Sequence, residues 1–288
     1  MVAAASAALE VRPVEAGDFG TIYPLLCEFR NRKMSRGDWR RMLFDYPWAA
    51  ERERGYALFA GGAAVGFLGT ITARRRLAGR EQIVCNPSCW FVREPYRHAS
   101  MLLLKPVLAR RDHTIVNLTP TPRSYEIFVK FGFRELEREQ VLLPPLASPL
   151  GLRGSFACVE SDSPLSESER EIHRQLAGFP GTCELVLRDG ARSTYLIASR
   201  LRYKRMRFAE LHYVGDLSFF WEHRALAHRA LFAALGCAAL ALDGRFAQGR
   251  RPPFALRRPA RRLYRPLVEQ TEPHEVDNLF SELLTLRV

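Results

Sequence analysis

The sequence predicts an α/β (α+β) protein of two consecutive units, each a mixed central sheet flanked by helices. Three observations carry that prediction. Strand-like and helix-like periodicities alternate along the whole chain. A proline- and glycine-rich stretch, Leu143 to Gly154, interrupts them near the middle. The order of elements before that stretch recurs after it, although the sequence does not. At 288 residues the chain is long for one small domain and comfortable for two. The expected division is a first unit over residues 1–145, a linker over 146–156 and a second unit over 157–288.

In the first unit Leu9 to Pro13 alternates as a short strand. A helix follows through Ile22, Leu25, Leu26 and Phe29, and a second runs from Ser35, its cap, to Phe44. Tyr56 to Ala60 and Ala64 to Ala73 flank Gly61-Gly62 as a hairpin. Gln82 to Val92 is a strand, and Asn86-Pro87 inside it fits a bulge or an interrupted edge. Ser100 to Ala109 is helical with a bend at Pro106, Thr114 to Leu118 is a buried strand, and Arg123 to Phe131 is a helix stopped by Gly132. Arg134 to Leu143 closes the unit as its last strand.

The second unit opens at Ser166, with Glu169 three residues on forming a capping box. Strands are expected at Thr182 to Leu187 and Arg192 to Leu201 around Asp189-Gly190, then at Arg207 to Val214. A helix capped by Asp216 or Ser218 runs to Leu235, and Cys237 to Leu242 is a buried strand. A helical turn is expected at Pro259 to Tyr264 and a final strand at Val276 to Val288.

Composition narrows the function classes. Hydrophobic residues make up 47%, enough for real cores. The six cysteines form no C-x-x-C pair, which points away from zinc and from a disulfide framework and toward reduced thiols. No stretch has the length and apolarity of a membrane helix, and Met1 to Leu9 lacks the features of a secretory leader, so a cytoplasmic location is expected. The net charge of +12 comes mostly from arginine, which suits phosphate, carboxylate or acidic-protein partners. It concentrates in a run containing Arg250, Arg251, Arg257, Arg258, Arg261, Arg262 and Arg265. No nucleic-acid motif surrounds that run, so nucleic acid is the last of its candidate partners.

Two segments carry the chemistry. In Cys89-Trp-Phe-Val-Arg-Glu-Pro-Tyr-Arg-His-Ala-Ser100 a strand enters a basic turn that opens a helix, an arrangement that suits a pyrophosphate. In Asn117 to Phe133 a buried strand ends at an asparagine and a helix ends at Gly132-Phe133. Together these blocks resemble the GNAT acyltransferase superfamily over residues 9–143. Val92, Arg97, Asn117 and Gly132-Phe133 match its pattern. Ser100 and Leu102 stand where its phosphate loop has small residues, and Phe128 stands where it has a tyrosine general acid.

The resemblance implies direct transfer of an acyl group from an acyl thioester to an amine or hydroxyl. The co-substrate would be acetyl-CoA or a longer acyl-CoA, or the phosphopantetheine of an acidic acyl carrier protein, with no metal. Val92, Arg97, His98, Ala99, Ser100 and Asn117 would hold it. Cys85, Asn86, Ser88 and Cys89 are the side chains near the transfer point, and Tyr125, one turn before Phe128, is a substitute acid. In the second unit Glu210 and His212 alternate onto one strand face as an acid–base pair, with Tyr264 as the acid. Two other classes stay open: a non-catalytic binding or sensor protein of the same fold, and an arginine-driven nucleic-acid binder.

Overall fold

The computed structural model describes residues 8–29, 34–145 and 153–285. In chain order the first elements are β1 (Leu9–Val14), α1 (Phe19–Glu28), α2 (Arg36–Leu43), β2 (Gly55–Ala60), β3 (Ala63–Leu77) and β4 (Arg80–Val92). They are followed by α3 (Ser100–Ala109), β5 (His113–Asn117), α4 (Pro122–Lys130) and β6 (Arg134–Leu143). After the linker come β7 (Ser155–Cys158), α5 (Glu167–Leu176), β8 (Thr182–Asp189), β9 (Arg192–Tyr203) and β10 (Met206–Val214). The last are α6 (Leu217–Glu222), α7 (Arg224–Leu235), β11 (Ala239–Asp243), β12 (Leu256–Arg265) and α8 (Glu282–Thr285). No described helix is long and apolar enough to cross a membrane.

Local chemistry explains most boundaries. Ser35 Oγ accepts from Asp38 N at 3.1 Å while Ser35 N donates to the Asp38 carboxylate at 3.0 Å, closing the capping box of α2. Ser166 and Glu169 do the same for α5. Thr121 Oγ1 accepts from Ser124 N at 3.2 Å and Pro122 occupies the first helical position of α4. Gly132 and Gly236 adopt φ of +80° and +66°, a left-handed conformation that lets each stop its helix at little steric cost.

The described residues divide into two compact units. One holds residues 8–134, 263–271 and 280–285; the other holds 135–262 and 272–279. In the first, strands β1 to β5 lie side by side in sequence order. All neighbours are antiparallel except β4 and β5, which are parallel and joined through α3. Its core packs Leu58, Leu68, Val92, Leu103, Leu104 and Phe128. The second unit repeats the plan with β7, β8, β9, β10 and β11, where only β10 and β11 are parallel. Its core is Leu185, Leu196, Leu211, Phe219, Phe220 and Leu231.

The sixth strands are exchanged. β6, which follows α4, pairs with β11, Leu143 facing Leu240. β5 instead receives the end of β12, with Leu263 facing Asn117 and Tyr264 facing Val116. Each unit is therefore completed by a strand from the other half of the sequence, so the unit boundaries interleave and do not follow the order 1–145 and 157–288.

Three expectations change accordingly. Pro259 to Tyr264 is strand, not a helical turn: the end of β12 pairs antiparallel with β5, and Arg262, Leu263 and Tyr264 are all buried there. Residues 276–285 form turns and the short α8, and residues 286–288 lie outside the described residues. The helix expected from Asp216 to Leu235 is two, α6 and α7, meeting at His223. The centre of the expected linker, 146–152, lies outside the described residues.

Candidate active site

The site begins where two strands separate. β4 pairs with β5 only over Ile83–Cys85 against His113–Ile115. At the next residue Asn86 turns its side chain into the widening gap, Nδ2 donating to Val116 O at 3.1 Å, and Oδ1 accepts from Glu282 N at 3.2 Å. That amide occupies the vertex at which the ladder ends. Further along β4 two residues oppose one on β3, and Cys89 has φ of +56°. A left-handed conformation in a non-glycine residue costs about 1–2 kcal/mol, and such strain collects where a site needs it. Of the two readings of Asn86-Pro87, the interrupted edge lies there, where pairing with β5 ends, and the bulge sits three residues later, at Cys89-Trp90.

Between the separated strands lies a cleft of about 780 Å³. Its floor is Pro87 to Val92 of β4, with Asn117 at the end of β5 and Thr119 just beyond it. Arg97, Ser100 and Met101 border it from the α3 side, and Ser124, Ile127 and Phe128 from α4. Phe29 and Trp39 close one part with aromatic surface, and Phe29 meets Trp39 and Phe91 edge-on at 6.2 and 6.1 Å. The volume suits a small-molecule site.

The residues expected to hold an acyl thioester divide. Val92, Arg97, Ser100 and Asn117 border the cleft; His98 is exposed and Ala99 buried, and neither lines it. Glu94–Ala99 is a 3-10 turn running directly into α3. Ser100 lies within this continuous run: its N–H already donates to Arg97 O, and Trp90 Nε1 donates to Ser100 O at 3.3 Å. Arg97 lies 3.9 Å from Glu94. The cations Arg97, Arg123 and Lys130 border the cleft, and the unpaired edge of β4 fits an extended amide chain.

Cys89 borders the cleft, but burial pushes its thiol up to about 12, with only Ser88 Oγ 3.6 Å away to oppose it. A thiol raised in this way is a poor nucleophile. Cys85 faces the core and is likewise pushed up to about 12 by burial. Phe128 is buried against Phe133 at 4.7 Å and supplies no proton. Tyr125 packs on the core and does not line the cleft.

Glu210, His212 and Tyr264 are not assembled as an acid–base set. Tyr264 belongs to the first unit, and its hydroxyl donates to Thr271 O at 3.1 Å. In the second unit a register shift puts His212 in a bulge, which breaks the alternation expected to align it with Glu210. His212 is 0% exposed and its Nε2 pairs with Ser199 Oγ at 2.8 Å. Burial holds it down to about 3, with nearby Arg262 acting the same way. Glu210 is 6% exposed and accepts from Gln140 Nε2 at 2.6 Å; burial pushes its carboxyl up. Arg262 lies 3.7 Å from Glu210 and 2.8 Å from Asp243, which also meets Arg245 at 3.0 Å and Asn278 at 2.9 Å.

The arginine run is largely committed. Arg257 pairs with Glu139, Arg258 lies 4.5 Å over Tyr203 and donates to Gln140, and Arg265 donates to Leu108 O and Arg110 O.

Sequence reasoning missed Thr119, Trp90 and Glu282. Glu282 is buried, accepts from Thr119 Oγ1 at 2.9 Å and so stands one hydrogen bond behind the cleft wall. No spacing marks it, since it arrives from the far end of the chain. Among the described residues no group of His, Cys, Asp or Glu is arranged to hold a metal.

No family model matches the chain, and neither does any curated protein sequence. Solved structures do. A GCN5-related N-acetyltransferase from Anabaena variabilis matches with TM-score 0.61 at 11% identity, over 91% of this chain and 73% of its own. Another from Kribbella flavida gives 0.56 at 13%, over 90% and 71%. A glucosamine N-acetyltransferase region of a fungal multi-domain β-N-acetylglucosaminidase gives 0.57 at 12%, over 91% and 38%. With its mixed sheet order, parting strands and bulged β4, the chain has the fold of the GCN5-related N-acetyltransferases.

Proposed function

We propose that the first unit transfers an acyl group from a pantetheine-type thioester to an amine or hydroxyl acceptor. The observation that supports this most is the cleft between β4 and β5, opened by Asn86 and redirected by the bulge at Cys89. A thioester arm lying along the open edge of β4 would meet Asn117 and Ser88, with Arg97, Arg123 and Lys130 near its phosphates. The acceptor's lone pair attacks the thioester carbonyl, the carbon–sulfur bond breaks, and the thiol leaves with a proton released by the acceptor. Rate would come chiefly from positioning the two reactants. Cys89 stays a thiol, which favours direct transfer over an acyl-enzyme.

The experiment follows thiol release from acetyl-CoA and acetyl-pantetheine with a panel of amines, glucosamine among them because one structural neighbour is a glucosamine N-acetyltransferase region. Ser88→Trp, which fills the floor of the cleft, should lower turnover by about 100-fold without changing the melting curve. Undiminished turnover in that variant would refute the assignment of the site.

A second function, binding a thioester without turning it over, is favoured by Phe128, a buried ring at the position of the family's tyrosine acid. It predicts calorimetric binding of acetyl-CoA that Ser88→Trp abolishes, with no thiol released under any acceptor.

A further inference from the structure

We propose that the thioester donor is carried by a small acidic protein on a 4′-phosphopantetheine arm, docked at the mouth of the cleft, and not by free coenzyme A. The proposal rests on the acyltransfer function above and specifies its partner.

Two observations point the same way. The first is the state of the loop that would cradle a pyrophosphate. Such a cradle needs free backbone N–H groups at a helix start. Here α3 continues the 3-10 turn Glu94–Ala99, Ser100 N is already bonded to Arg97 O, Tyr96 N to Arg93 O, and the Glu94 carboxylate lies 3.9 Å from Arg97. A nucleotide diphosphate would find a competing carboxylate and few donors. A single phosphodiester needs less, and Arg97 alone serves it.

The second is the rim. Arg97 stands on the α3 side and Arg123 and Lys130 on α4, against two carboxylates, Glu126 in the lining and Glu94 beside Arg97. Beside them the first turn of α3 leaves Met101 and Leu102 37% and 42% exposed. Cations around a small apolar patch complement an acidic protein surface with apolar side chains at its centre. A protein carrier brings its own contact area and so dispenses with the nucleotide cradle. In the reaction the acyl carbon–sulfur bond to the carrier's arm breaks, the bond to the acceptor nitrogen forms, and the carrier leaves with a free thiol and its proton.

The test compares three acetyl donors with one amine: acetyl-CoA, acetyl-pantetheine, and a bacterial acyl carrier protein bearing acetyl-4′-phosphopantetheine. The carrier-borne donor should exceed acetyl-CoA in kcat/KM by about tenfold or more at low salt, and the advantage should fall as ionic strength rises. Leu102→Glu, outside the cleft lining, should lower kcat/KM for the carrier by about tenfold and leave acetyl-pantetheine unchanged. Acetyl-CoA used as well as the carrier, or Leu102→Glu depressing both donors equally, overturns the proposal while the acyltransfer function stands. Turnover of none of the three donors overturns that function and this proposal with it.

Discussion

The two units share a strand plan and differ in what they do with it. Both place a bulge on the strand that precedes the parallel crossover, at Cys89 in β4 and at His212 in β10. In the first unit Asn86 holds the strands apart and the bulge faces a cleft. In the second the bulged residue is sealed from solvent, and buried ions crowd the neighbouring positions: Glu210, Asp243, Arg245 and Arg262. The same backbone device thus serves access in one unit and packing in the other. What differs is the side chain beside the bulge. A short neutral amide bridges a gap, whereas buried charges must be drawn together and paired to offset their lost hydration.

The comparison breaks most visibly at Arg262. Arg262→Ala leaves Asp243 and Glu210 buried without their shared guanidinium, and should destabilise the protein by about 3–5 kcal/mol, read from chemical denaturation. A loss below 1 kcal/mol would mean that solvent reaches this cluster and that the second unit is open after all.

A smaller effect comes from pH. Burial holds His212 down to about 3 and His228 down to about 4, whereas the unfolded chain protonates its imidazoles near 6.5. Below 6.5 the unfolded state takes up protons that the native state refuses, so stability is full above that pH and is lost as pH falls. Between pH 6.5 and 5 the loss should be about 2 kcal/mol for each buried histidine. In the first unit His113 behaves oppositely. Burial lowers it, but hydrogen bonds to Glu51 and Asp112 outweigh that and leave it raised, so its contribution is present below 6.5 and is lost as pH rises through its folded value. Denaturation of His212→Gln at pH 7 and pH 5 should show a smaller acid loss than the parent; an equal loss would place the acid sensitivity elsewhere.

The smallest effect is expected at the surface. Arg257 and Glu139 pair with both side chains over a third exposed, and Arg257→Ala should change stability by less than about 1 kcal/mol. A larger cost would show that the arginine run braces the second unit as firmly as the buried ions do.

Capping chemistry and periodicity are local, so the caps at Ser35, Ser166 and Asp216 and nearly every strand of both units were legible in the sequence. Arg97 and Ser100, singled out by the turn-to-helix pattern, and Asn117, singled out by the family resemblance, all border the cleft. The misreadings share one cause. Pro259 to Tyr264 reads as helical because the partners that make it a strand, Asn117 and Val116, lie more than a hundred residues away. Glu210 and His212 looked like a pair because period-2 alternation assumes an unbroken strand, and the bulge removes that assumption.

The sequence by itself therefore determined the fold class, the order of elements through the first unit and the segment from which one wall of the cleft is built, because those follow from periodicity, capping and turn chemistry within a few residues. Only the tertiary structure decided which strand completes which unit, where β4 bulges, that Glu282 stands behind Thr119, and that His212 is sealed. Each of these depends on long-range strand register and on how buried polar groups find partners across the chain, and neither is written in the spacing of neighbouring residues.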